Sequence, residues 1–157
     1  MSQLQMLKKL IETNDYLEIP SHGLSMFPII TQKNICVFEK FNLQNISKGD
    51  ILLFGTKDGG ITGHRYLRTI KYDQKLWLVC KGDTNLYPDE PVLENQVIGK
   101  LTMIKKKDRV IDVTRRTMKI YSYLICHFRL IPALLHAYVH KILKKRNGKA
   151  NEESSAS

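Results

Sequence analysis

The sequence predicts a mainly-β body with a short helix before it and a basic helical extension after it. Three observations carry this. Short apolar runs between Tyr16 and Ile104 are separated by turns rich in Gly, Asp and Pro, the texture of an all-β domain. From about Thr114 the apolar residues recur at helical spacing instead. The charge divides at nearly the same place: residues 1–99 carry 11 Lys/Arg against 11 Asp/Glu, whereas residues 100–149 carry 14 Lys/Arg against Asp108 and Asp112.

Taken in order, Leu4, Leu7 and Leu10 with Lys8 and Lys9 between them predict a short amphipathic helix within residues 1–14. This run is neither a secretory signal nor long enough to cross a bilayer, which needs about 20 apolar residues. Asn14-Asp15 breaks the helix. Tyr16 to Ile19 reads as a short strand ended by Pro20. Ile35 to Phe38 is a buried strand. After the turn Lys48-Gly49-Asp50 comes a second apolar run, Ile51 to Phe54. Asp58-Gly59-Gly60 is a hairpin turn leading into a long strand from Ile61 to Ile70. Leu76 to Cys80 and Val97 to Ile104 complete the body, which spans residues 15–112. Residues 113–146 form the helical extension, interrupted or kinked at Pro132, and residues 147–157 a disordered tail.

The length suits one domain with appendages and a core that needs no metal or disulfide staple. Cys36, Cys80 and Cys126 are odd in number and include no C-x-x-C pair, so zinc and redox motifs are not expected and reduced thiols in a cytoplasmic setting are. No cofactor is implied. The net charge of +10 resides in the C-terminal third, so it is no argument for nucleic-acid binding by the whole protein, and no nucleic-acid partner is expected.

Three segments hold residues suited to hydrolysis. Gly23-Leu24-Ser25-Met26-Phe27-Pro28 places a serine in a loop that glycine and proline constrain. A serine hydroxyl becomes nucleophilic only when a base takes its proton, and it works best beside N–H groups that stabilise an oxyanion. Gly63-His64-Arg65 supplies an imidazole 39 residues later. Lys81-Gly82-Asp83 runs on to Asp89 and offers two carboxylates that could orient it.

Gly23 to Pro28 resembles the G-x-S-M-x-P nucleophile motif of the type I signal peptidase superfamily of serine peptidases. Three further stretches are similar to that superfamily's pattern: Gly49-Asp50 with Ile51 to Phe54, Lys81 to Asp89, and Val97-Ile98-Gly99-Lys100. The resemblance covers about residues 17–105. Members differ in their base, and His64-Arg65 is similar to the His type found in endoplasmic-reticulum and archaeal signal peptidases. The resemblance implies a signal-peptidase/LexA-like β-fold with Ser25, His64 and Asp89 as catalytic residues. Gly23, Met26 and Pro28 would support the loop, and backbone N–H groups, including that of Ser25, would form the oxyanion site. Asp83 is the alternative carboxylate, expected otherwise to hold its loop through backbone bonds. Arg65 is expected to point to the other strand face as a structural residue, and His22 to be a loop residue. Typical members of the family carry an N-terminal membrane anchor, which residues 1–14 are not expected to supply.

The extension offers two readings. Its aromatic and aliphatic face with Lys141, Lys144, Lys145 and Arg146 suits an anionic membrane surface, and the same face could instead pack on the β body or a partner. A span is disfavoured, because Arg129 at its centre costs roughly 2.5–3.5 kcal/mol on insertion scales. The functional expectation is a signal-peptidase-like serine endopeptidase trimming a leader or signal-type peptide, cytoplasmic and peripheral at the inner face of a membrane. The competing expectation is a non-catalytic peptide-binding module or LexA-like regulator. Against self-cleavage, the first alanine is Ala133 and no Cys-Gly occurs, so the bonds such regulators cut upstream of the serine are missing.

Overall fold

The structure, a computed structural model, describes residues 2–128 and 130–155, with side chains as far as Lys145. Helix α1 (Gln3–Asn14) starts at a capping box, in which the Ser2 hydroxyl accepts from the Gln5 N–H and the Gln5 side chain accepts from the Ser2 N–H. Asp15 ends it in the left-handed region at φ 65°. Its sheet-facing side carries Leu4, Leu7 and the buried Ile11; Leu10, grouped with them by spacing, is exposed.

Eight strands follow among the described residues: β1 (Tyr16–Pro20), β2 (Ile35–Lys40), β3 (Ile51–Gly55), β4 (Ile61–Tyr72), β5 (Lys75–Lys81), β6 (Val92–Leu93), β7 (Val97–Lys105) and β8 (Val110–Asp112). Every pairing is antiparallel. The order is β1-β2-β7-β3-β4-β5-β6, with β8 also paired to β7. The protein is therefore a mainly-β fold with helices at both ends. β6 and β8 were not foreseen, because two or three residues are too short to display a period of two.

β3 explains how one sheet supports two cores. Its side chains alternate, sending Ile51 and Leu53 into a core with Ile11, Phe38 and Leu101, and Leu52 and Phe54 into another with Tyr66, Leu78 and Val97. A strand buried on both faces reads as an unbroken apolar run, as Ile51 to Phe54 does. Each such side chain contributes about 1.5–3 kcal/mol by leaving water. β4 and β5 are joined through Asp73 and Gln74, both at positive φ (48° and 55°), as a two-residue type I′ turn requires.

The extension forms two helices, α2 (Arg116–His127) and α3 (Leu130–Ser155). The break falls at Phe128, whose backbone is extended, rather than at Pro132. Pro132 lies in the first turn of α3, where helical N–H groups have no internal partner and a missing one does no harm. α3 runs to Ser155, into the stretch over which the sequence predicts a disordered tail. Residues 156 and 157 lie outside the described residues. Ile125 and Val139 are buried on the inner sides of α2 and α3.

Candidate functional site

Ser25 sits in the tight turn between β1 and β2. The turn is closed by Phe27 N–H to the Leu24 carbonyl (3.1 Å) and Ile30 N–H to the Met26 carbonyl (3.0 Å). Gly23 takes φ 78°, a conformation that strains any residue with a Cβ. Met26 is the anchor of the turn, buried with Ile29 and Ile30 in the core beneath α1, and Pro28 is exposed at its rim. The loop after β5 clamps the other side. Thr84 N–H donates to the Ser25 carbonyl at 3.0 Å, and its hydroxyl lies 3.3 Å from the Leu24 and Ser25 carbonyls. Gly82 permits this approach, since a Cβ there would lie 3.0 Å from the Ser25 carbonyl oxygen.

His64 is on β4, directly across from Leu52 of β3. Its Nε2 lies 2.9 Å from Ser25 Oγ and its Nδ1 lies 2.6 Å from Asp89 Oδ2. The imidazole thus bridges a hydroxyl and a carboxylate. A carboxylate only accepts, so Nδ1–H donates to Asp89 and Nε2 is left to accept from the Ser25 hydroxyl. Phe54 packs edge-on to the ring at 6.3 Å between centroids, and the histidine side chain is 9% exposed. Asp89 is partly exposed, and its N–H is fixed by the Cys80 carbonyl at 2.9 Å. This arrangement can transfer a proton from Ser25 while the resulting positive charge on the ring faces Asp89.

The other carboxylate has a different partner, which corrects its place as the alternative orienter. Both oxygens of Asp83 are 2.7 Å from the Arg65 guanidinium, one at Nε and one at Nη2. The alternation of β4 sends His64 and Arg65 to opposite faces, so the carboxylate that meets Arg65 is not the one that meets His64. Asp83 holds its loop through this side-chain pair, not through the backbone bonds expected from its position. Arg65 also donates to the Gly49 carbonyl (2.7 Å) and to Ser122 Oγ of α2 (2.6 Å), and the Tyr121 ring lies 5.7 Å from its central carbon. Burial works to lower the guanidinium pKa, but the hydrogen bonds and charge of Asp83 outweigh it and hold the group above its ordinary value.

Helix α3 touches the same loops. His136 Nδ1 donates to the Thr84 carbonyl at 3.0 Å, and the Tyr138 ring packs on Phe27 at 5.7 Å. Thr84, Ser122, Tyr121 and His136 were not singled out from sequence. Thr84 lies inside the Lys81–Asp89 segment and was within reach; the helical residues carried no local signal.

A cavity of about 450 Å³ opens beside Ser25. Leu7, Ile19, Ile30, Phe38, Leu53 and Ile61 give it an apolar lining, and exposed His22 lies at its edge. A second hollow of about 460 Å³ lies against His64 and Asp89. A larger one of about 650 Å³, between α1 and β5–β6, contains none of these three residues. The thiols are poor competing nucleophiles. Burial raises Cys36 to about 11 and, with the charge of Asp89, Cys80 to about 12, while Cys126 is raised chiefly by burial. Among the described residues no group of three or more His, Cys, Asp or Glu could hold a metal ion.

The chain matches no protein-family model, and no curated protein matches it.

Proposed function

We propose that the protein is a serine endopeptidase of the signal-peptidase type, with Ser25 as nucleophile, His64 as general base and acid, and Asp89 as the orienting carboxylate. One observation carries this reading: a single imidazole within hydrogen-bond distance of both the serine hydroxyl and a carboxylate. The motif resemblance around Ser25, His64 and Lys81–Asp89 supports it independently. The substrate class that follows is a leader or signal-type peptide. It would lie extended along the apolar cavity beside Ser25, with small or short apolar side chains before the cut.

In the proposed reaction Ser25 Oγ attacks the scissile carbonyl carbon as its proton passes to His64 Nε2. Asp89 faces the imidazolium through Nδ1–H and remains ionised. Backbone N–H groups of the turn receive the oxyanion. Collapse breaks the C–N bond, and His64 returns the proton to the leaving amine. Water then attacks the acyl ester with His64 again as base. The C–O bond to Ser25 breaks, a carboxylic acid product leaves, and the serine regains its proton.

The test is labelling of the folded chain by covalent serine probes and a peptide boronate, read by native intact mass and peptide mapping. The adduct is expected on Ser25 and absent from Ser25→Ala and His64→Ala. A chain that melts cooperatively yet reacts with no warhead overturns the reading.

A further inference from the structure

The outward side of the helical extension runs against the usual rule. Helices packed on a globular body turn polar residues to water. On α3, Leu130, Ala133, Leu134 and Ala137 follow one another at helical spacing and all are exposed, Leu130 at 77% and Leu134 at 70%. Ile131, Pro132, Leu135 and Val139 occupy the partly or fully buried side. α2 adds exposed Ile120 (61%), Tyr123 and Leu124, and Phe128 at the break is exposed as well. Large apolar side chains left exposed on two successive helices mark a contact with something else.

Charge identifies the partner. Residues 113–151 contain nine Lys/Arg and no Asp or Glu. Exposed Arg115, Arg116 and Lys119 stand at the start of α2, and exposed Lys141, Lys144 and Lys145 follow the apolar stretch of α3. In sequence, cationic residues flank the apolar stretch on both sides and Arg129 falls within it, a combination that matches an anionic bilayer, whose headgroups meet the cations while its acyl boundary receives the apolar side chains.

No single helix among the described residues is long and apolar enough to span. α2 and the first part of α3 together have the length and composition, but they meet at 91°. Their inner sides are engaged, α2 through Ser122 on Arg65 and α3 through His136 on Thr84.

We infer that the α2–α3 elbow is a docking surface for an anionic lipid bilayer, entering the interface with Ile120, Leu124, Phe128, Leu130 and Leu134 and meeting phosphate headgroups with the lysines and arginines at its two ends. Because Tyr138 packs on Phe27 and His136 holds the loop that grips Ser25, docking brings the Ser25–His64 site close to the membrane surface. The inference does not depend on peptidase activity.

The test uses the full chain and its Ser25→Ala form, co-sedimented with vesicles of phosphatidylcholine alone or mixed with phosphatidylglycerol. Both chains are expected to bind the mixed vesicles about tenfold or more tightly than the neutral ones, with the difference shrinking as salt rises. Leu130→Asp/Leu134→Asp is expected to abolish binding. Lys144→Glu/Lys145→Glu, at exposed positions that leave the fold alone, is expected to weaken it on mixed vesicles only. Circular dichroism melts report whether the leucine variant folds; if it does not, the lysine variant and the salt series decide. Absence of sedimentation, or equal binding to both vesicles, overturns the proposal. So does concentration-dependent self-association removed by Leu130→Asp/Leu134→Asp, or a stoichiometric complex with an acidic protein that occupies the elbow. Binding by Ser25→Ala equal to the unsubstituted chain keeps this result separate from the fate of the peptidase reading.

Discussion

Arg65 and Asp83 form a buried two-pronged pair, one residue along β4 from His64 and one residue before the threonine that grips Ser25. The chain thus uses neighbouring residues for different tasks. His64 and Asp89 line up with the hydroxyl, and Arg65 and Asp83 hold their supports in register.

The two aspartates should therefore separate in mutation. Asp83→Asn leaves the buried Arg65 charge with a neutral partner and is expected to destabilise the fold by about 3–5 kcal/mol. Asp89→Asn, at a partly exposed site, is expected to leave urea-unfolding midpoints nearly unchanged while peptide hydrolysis falls by roughly four orders of magnitude. Denaturation curves and kcat measured on both variants check this. A large stability loss from Asp89→Asn with activity retained would reassign the roles.

His136 is a positioning residue in this scheme, acting through Thr84. His136→Ala is expected to cost about 1 kcal/mol of stability, the worth of a typical hydrogen bond. Turnover should drop with KM nearly fixed, because the Ser25 turn loosens while the apolar cavity stays intact. Steady-state kinetics alongside a thermal melt reads this split. An unchanged kcat would show that α3 does not steady the serine turn.

The cavity beside Ser25 is bounded on one side by Leu7 of α1. Leu7→Trp should narrow it and raise KM for peptides with larger apolar residues before the cut by roughly 10-fold or more, in line with the 1–3 kcal/mol range for misfit in an apolar pocket. Substrates with alanine or glycine there should be nearly unaffected. A uniform loss across the peptide series would place α1 outside the binding channel.

Stability should fall at alkaline pH. The folded protein holds the Cys36 and Cys80 protons to about 11 and about 12, against an ordinary value of 9.0. Above pH 9 the unfolded chain therefore binds fewer protons than the folded one, and each thiol removes up to about 1.4 kcal/mol per pH unit. Below pH 9 this contribution is fully present. Lys106, lowered first by burial and then by Arg109, acts in the opposite direction. Denaturant unfolding from pH 8 to 11 measures the net slope. Cys36→Ala/Cys80→Ala should flatten it, whatever that double variant does to stability at neutral pH.

The sequence disclosed this molecule unevenly, for physical reasons. Strands that bury a face announce themselves, so the runs at Ile35, Ile51, Ile61, Leu76 and Val97 were legible. β6 and β8, a few residues each, depend on a neighbouring strand to exist. Ser25, His64 and Asp89 were singled out through the resemblance of their segments to a family pattern, and the structure brings them within hydrogen-bond reach. Asp83 could not be separated from Asp89 on type alone; the alternation of β4 separates them, by sending Arg65 where Asp83 lies. The helix break was assigned to proline because proline breaks helix interiors. Nothing local showed that Pro132 would fall in a first turn. Contacts of Ser122 and His136 with the β body span 57 and 52 residues, a range over which spacing carries no information.

The bond from Arg65 to Ser122 also has a meaning in time. Asp89 completes the trio of side chains in the order of synthesis, yet Ser122 follows it by 33 residues and His136 by 47. A chain emerging from its N-terminus thus presents serine, imidazole and carboxylate well before it presents the helices that brace their loops. Until α2 arrives, Arg65 has no hydroxyl to meet at that end of its guanidinium, and until α3 arrives the Thr84 loop is held from one side only.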